Sequence, residues 1–113
     1  MFFKGSFMFV KNYNKAAIIT GDVEISYEEV IEKIKDYSFA LKYNKGERIA
    51  IFFENRPEWI YSFFAGWNIG AVNVLIDAMS GKDELEYILK DCSPKTIITS
   101  NKNLDLVKKT VES

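Results

Sequence analysis

The chain has 113 residues, 48% hydrophobic and 27% charged, with 15 Lys plus Arg against 16 Asp plus Glu for a formal charge of −1. That size and balance describe one globular domain, residues 1–113, burying about 65% of its unfolded surface, and they exclude a disordered chain. The basic residues are scattered, so no footprint for nucleic acid appears; one cysteine and no histidine exclude an internal disulfide and a zinc site, and a cytoplasmic setting is expected.

Residues 1–15 read as a leader. Its aromatic start, MFFKGSFMFV, is interrupted by Lys4 and Gly5 and lacks a small-residue cleavage pattern, so neither a secretory signal nor a membrane span is expected. Packing on the domain and weak peripheral membrane contact through Met1 to Val10 both stay open. In AAIITGDVEIS, β-branched runs flank Gly21-Asp22, a dipeptide suited to a two-residue hairpin turn. Ser26 stands three residues before Glu29, the capping-box spacing, so a helix is expected to begin there and run to a stop at Gly46, with Val30, Ile31, Ile34, Tyr37, Phe39 and Leu41 on its apolar side.

RIAIFF, residues 48 to 53, is an apolar run too short for a helix and reads as a strand covered on both faces. Pro57 and Glu58 then open a helix over 57–69, which Gly70 ends. AVNVLI predicts a second strand over 71–76. SGKDELEYILKDC predicts a helix capped by Ser80 with Leu85, Ile88 and Leu89 inward, SPKTIITS a third strand, and NLDLVKKTV a last helix with Leu104, Val107 and Val111 at helical spacing. Alternating strands and helices with short connections predict a layered, mostly parallel α/β sheet flanked by helices, preceded by the hairpin.

Three places invite a chemical reading. Asn55-Arg56-Pro57-Glu58-Trp59 follows a parallel strand on the side where open α/β sheets bind ligands, but a turn and helix start explain it as well. Asp77 also follows a strand end, where a cap or turn role competes with ligand binding. Cys92 lacks a histidine to activate it and reads as a small apolar residue. The six glycines never cluster into a phosphate-cradling loop, so no catalytic, cofactor-binding or metal residue is assigned.

Taken in order, these segments resemble the amino-terminal end of the adenylate-forming acyl-CoA synthetases. ISYEEVIEKIKDYSFAL is similar to the family's Thr-Tyr-x-Glu-Leu helix, and KGERIAIFFENRPEW to its Gly-Asp-x-Val-Ala strand with the Asn-x-Pro-Glu turn. AGWNIGAVNVLIDAMSGKDELEYILKDCSPKTIITS resembles the Gly-Ala-Val, Val-Pro-Ile/Leu-Asp and Glu-Leu-x-Tyr-Ile-Leu-x-Asp stretches, with Leu75 where the family carries proline. The Asn-Arg-Pro-Glu-Trp form is most similar to the long-chain fatty acid members. The resemblance implies a parent enzyme that uses ATP, magnesium and coenzyme A, whose phosphate loop and catalytic lysine have no matching positions here.

The helix over 57–69 is apolar on nearly all sides, carrying Trp59, Ile60, Tyr61, Phe63, Phe64, Trp67 and Ile69, so it is expected to be covered on two sides within a larger body. Two stripes compete for the outward side: Trp59, Phe63 and Trp67, or Ile60 and Phe64. Either would serve as an interface with the rest of the parent enzyme or in a symmetric dimer, and a stand-alone interaction module using this helix is the competing reading.

Overall fold

The computed structural model describes residues 15–112; the expectations for Met1 to Val10 lie outside them. Ala16–Thr20 (β1) and Val23–Ser26 (β2) pair antiparallel, Thr20 facing Val23 across a two-residue turn in which Gly21 takes a φ of 59°. Tyr27–Ala40 (α1) follows, and Ser26 Oγ accepts from the Glu29 amide at 3.1 Å, the bond that the capping spacing requires. The helix stops earlier than expected: a 3-10 turn over Lys42–Asn44 precedes Gly46, whose φ of 77° turns the chain into the sheet.

Phe39 was expected on the inward stripe but stands 67% exposed, and Ser38 is buried instead. At 100° per residue Phe39 lies half a circle from Val30, whereas Ser38 lies about 80° from it and stays on the inward side. Ser38 Oγ accepts from Asn68 Nδ2 at 3.3 Å, which satisfies the buried hydroxyl.

Arg48–Phe52 (β3), Val72–Ile76 (β4) and Thr96–Thr99 (β5) form one parallel sheet in the order β4-β3-β5, with Ala50 level with Val74 and Ile97. Pro57–Asn68 (α2) joins β3 to β4, and Lys82–Cys92 (α3) carries the chain back across β3 to β5; Leu104–Val111 (α4) closes the described part. Crossovers of one hand that step in opposite directions place their helices on opposite faces. Ile49 and Ile51 accordingly pack with Leu41, Ala65 and Ile69 on the α1/α2 side, and Ala50 and Phe52 with Leu85 and Val107 on the α3/α4 side. Burial on both faces leaves Ile49 through Phe52 with no exposed surface, the reason this run shows no polar alternation.

Two further expectations shift by a residue or more. The residue at the start of α3 is Gly81, with no side-chain cap, while Ser80 is buried and its hydroxyl has no hydrogen-bond partner. On α4 the inward line is Leu106, Val107 and Thr110, leaving Val111 60% exposed, because the helix touches the sheet through one narrow side.

Candidate functional site

The carboxyl ends of β3, β4 and β5 gather the segments singled out by sequence. Because β3 sends its connection to one face and its two neighbours send theirs to the other, the sheet splits on both sides of β3, the position where such folds open crevices. On the β5 side that crevice is closed by polar contacts. Glu54 Oε1 accepts from Ser100 Oγ at 2.8 Å and from Asn103 Nδ2 at 3.1 Å. These bonds tie the loop after β3 to the start of α4. The Glu54 carboxyl lies below its ordinary range because its own backbone amide and the Ser100 hydroxyl donate to it, with Arg56 adding charge. Sequence reasoning passed over this cluster; its only signal was a polar residue just past each of two apolar strands.

On the β4 side the crevice stays open, a cleft of about 460 Å³ lined by Phe53, Asn55, Trp59, Leu75, Asp77 and Met79. Arg56 occupies the position preceding α2 with extended backbone and lies 3.8 Å from Glu54 and 3.4 Å from Glu58, so its charge is balanced from both sides. Asp77 Oδ1 accepts from the Met79 amide at 2.9 Å, the turn role weighed for it. Cys92 sits at the end of α3, where burial raises its thiol above the ordinary range and its carbonyl accepts from Arg48 at 3.0 Å.

The aromatic residues of α2 divide by direction. Ala65 and Ile69 meet the sheet and Tyr61 meets α1, its ring 5.6 Å from that of Tyr37 in an edge contact. Phe64 leans on the hairpin side beside Ile18 and Val30, and Ile60 borders Ile18 and Thr20. Trp59, Phe63 and Trp67 form a contiguous row with centroid spacings of 5.5 and 5.7 Å, half-buried at Trp59 and Phe63 and 50% exposed at Trp67. Gly66 lets β4 approach: Asn73 Nδ2 donates to the Phe63 carbonyl at 2.9 Å, and a β-carbon on Gly66 would come within 2.9 Å of Asn73 Cγ and nearer still to Oδ1.

Glu54, Glu58 and Asp77 are thus engaged in a polar closure, an ion pair and a turn, and among the described residues no group of three potential ligands could hold a metal ion. Nor is any described helix long and apolar enough to cross a membrane.

The profile of the AMP-binding enzyme family matches residues 9–113. Fatty acyl-CoA synthetase A of Dictyostelium discoideum is 33% identical over 86 residues, covering 74% of this chain and 13% of that protein. An acetyl-coenzyme A synthetase of Emericella nidulans is 33% identical over 101 residues, covering 81% and 15%. The solved structure of the anthranilate CoA ligase AuaEII, in complex with anthranoyl-AMP, superimposes with a TM-score of 0.82 at 30% identity over 89% of this chain and 20% of that one. The fold is that of the amino-terminal subdomain of adenylate-forming enzymes, and the chain belongs to the AMP-binding enzyme family. It spans 13 to 20% of the length of these three proteins, which are acid–CoA ligases.

Proposed function

We propose that this stretch is scaffold for an acid–CoA ligase, one that forms an acyl-adenylate from ATP and a fatty acid with magnesium and passes the acyl group to coenzyme A. The chain itself is inactive in this reading, and the chemistry belongs to the remainder of the enzyme, its principal partner. The observation that carries the proposal is the match in order and fold to ligases several times longer, together with an apolar strip from Trp67 to Leu75 and Met79, 50%, 51% and 89% exposed, that a larger body would cover. Three acids are named by relatives of nearly equal identity, so the assignment of fatty acid rests on the Asn55 to Trp59 pattern alone.

The test has two arms. Calorimetric titration of ATP and magnesium into the 113-residue chain should show no micromolar binding, which would require about 8 kcal/mol of contacts from an organised phosphate site. Acid-dependent pyrophosphate exchange by the complete product of the reading frame should be faster with fatty acids than with acetate or benzoate. Tight ATP binding by the chain, or exchange with none of these acids, overturns the proposal.

A second reading is favoured by one observation, the half-exposed Trp67 at the end of the aromatic row. When the apolar strip is uncovered, two copies of the chain pair through Trp59, Phe63 and Trp67 as a symmetric dimer, with Ile60 and Phe64 turned to the hairpin. Light scattering on Trp67→Glu should then give a folded monomer; a wild-type chain that is monomeric at high micromolar concentration would refute it. A cytoplasmic enzyme with peripheral membrane contact through Met1 to Val10 fits either reading.

A further inference from the structure

The end of the sheet at which the strands begin is chemically unlike the end just described. There α1, α2 and α3 finish, and the residues are Lys42, Lys45, Arg48, Lys90 and Lys95 against Glu47, Asp91 and Glu86, which pairs with Lys90 at 2.9 Å. Glu54, Glu58, Asp77, Asp83, Glu84 and Asp105 lie at the opposite end with Arg56, Lys82 and Lys102. The two ends are separated by at least the five residues of β3, about 17 Å, which exceeds the screening length of about 8 Å at physiological salt. A chain of net charge −1 therefore shows a basic end to anything that approaches from that side.

At its centre stands the 3-10 turn. Tyr43 is 77% exposed and Phe39 67% exposed, and the Lys42 ammonium lies 3.8 Å from the Phe39 ring centroid and 5.2 Å from that of Tyr43. The turn holding these rings is anchored. Leu41 and Asn44 are buried, Asn44 Oδ1 accepts from Thr96 Oγ1 at 2.8 Å, and the Tyr43 carbonyl accepts from Lys95 Nζ at 3.0 Å. Lys35 and Asp36, both exposed, lie one turn back on α1.

We propose that this end is a docking surface for an anionic lipid bilayer, with Phe39 and Tyr43 entering the interface and Lys42, Lys45 and Lys95 meeting the headgroups. Charge complementarity selects the occupant: several cations around two exposed rings suit a sheet of negative headgroups over an acyl boundary. A protein partner needs a desolvated core depleted in charge, which two rings set among lysines do not supply. Covering the same surface with more of the enzyme's own chain would strip water from the lysines, a penalty that the uncharged strip from Trp67 through β4 does not impose. The surface is distinct from Met1 to Val10 and does not depend on which acid is activated.

Vesicle sedimentation of the 113-residue chain tests it, with phosphatidylcholine vesicles containing about 30% phosphatidylserine set against phosphatidylcholine alone. Wild type should sediment with the first and remain in solution with the second. Lys42→Glu/Lys45→Glu should lower partitioning at least tenfold, since each cation removed near such a surface is worth about fivefold and each reversal more. Phe39→Ser/Tyr43→Ser should lower it by about tenfold and Phe39→Trp/Tyr43→Trp should raise it, while all three variants keep the wild-type unfolding midpoint. Replacing Phe2, Phe3, Phe7 and Phe9 by serine separates the leader's part: the loss caused by Phe39→Ser/Tyr43→Ser should persist in that background. Equal binding to both vesicle types, unchanged partitioning of the lysine or ring variants, or capture by heparin but not by vesicles would each overturn the proposal.

Discussion

Replacing Gly66 by alanine should destabilise the chain, although a glycine inside an exposed helix usually gains from that change. Alanine is favoured over glycine in a helix interior by about 1 kcal/mol. Against this stands the Asn73 side chain of β4, whose Cγ lies 2.9 Å from where the new β-carbon would be and whose Oδ1 is nearer. The amide cannot retreat without breaking its 2.9 Å bond to the Phe63 carbonyl, worth about 0.5–1.5 kcal/mol net. Forcing a methyl into this contact adds about 1–3 kcal/mol of overpacking, so the sum is a net loss of roughly 1–3 kcal/mol. The same substitution in an Asn73→Ala background meets no amide and should stabilise by up to about 1 kcal/mol. Urea unfolding of the four chains closes the cycle, with a coupling of about 2–4 kcal/mol expected. If Gly66→Ala stabilises equally in both backgrounds, the Gly66–Asn73 contact does not limit the approach of β4 to α2.

Ser26→Ala removes the acceptor for the Glu29 amide and should lower stability by about 1 kcal/mol in chemical denaturation, with an unchanged midpoint placing the start of α1 elsewhere. Glu54→Gln keeps the shape of the loop but weakens the bonds from Ser100 and Asn103. Because the folded carboxyl lies below its unfolded value, its contribution is fully present above the unfolded pKa and is lost as pH falls through the folded one. The stability gap between wild type and Glu54→Gln should therefore be constant near neutrality and shrink on acidification below the ordinary carboxylate range; a gap that widens there would refute the assignment.

What could be read along the chain depended on how far each cause lies from its effect. The Ser26 cap, the Gly21 turn and the Pro57 start are set within four residues, and each is found where the spacing places it. Where a local rule admits two solutions one residue apart, tertiary packing decides, as at Ser80, which moves into the interior and leaves Gly81 at the helix start. Phe39 shows the limit of counting apolar residues: its type fits a core, but its angular position does not. The polar closure at Glu54 joins residues 46 and 49 apart in sequence, and the reason for Gly66 lies on another strand; neither follows from periodicity within one element.

The aromatic density of α2 has a cause that only the assembled layers make plain. An ordinary surface helix has one partner and needs one apolar stripe. This helix has four neighbours: β3 beneath Ala65 and Ile69, α1 beside Tyr61, the hairpin near Phe64, and β4 against Gly66. The fourth neighbour is itself incomplete. β4 is an edge strand whose five residues carry no charge, and Val72 and Leu75 are each 51% exposed, without the lysine or proline that commonly protects an edge. Trp59, Leu75 and Met79 line one cleft, and Phe63 bridges Trp59 to Trp67, so the open edge and the outward aromatic row make one continuous apolar strip. That strip is the surface that the proposed scaffold role would place against the remainder of the enzyme.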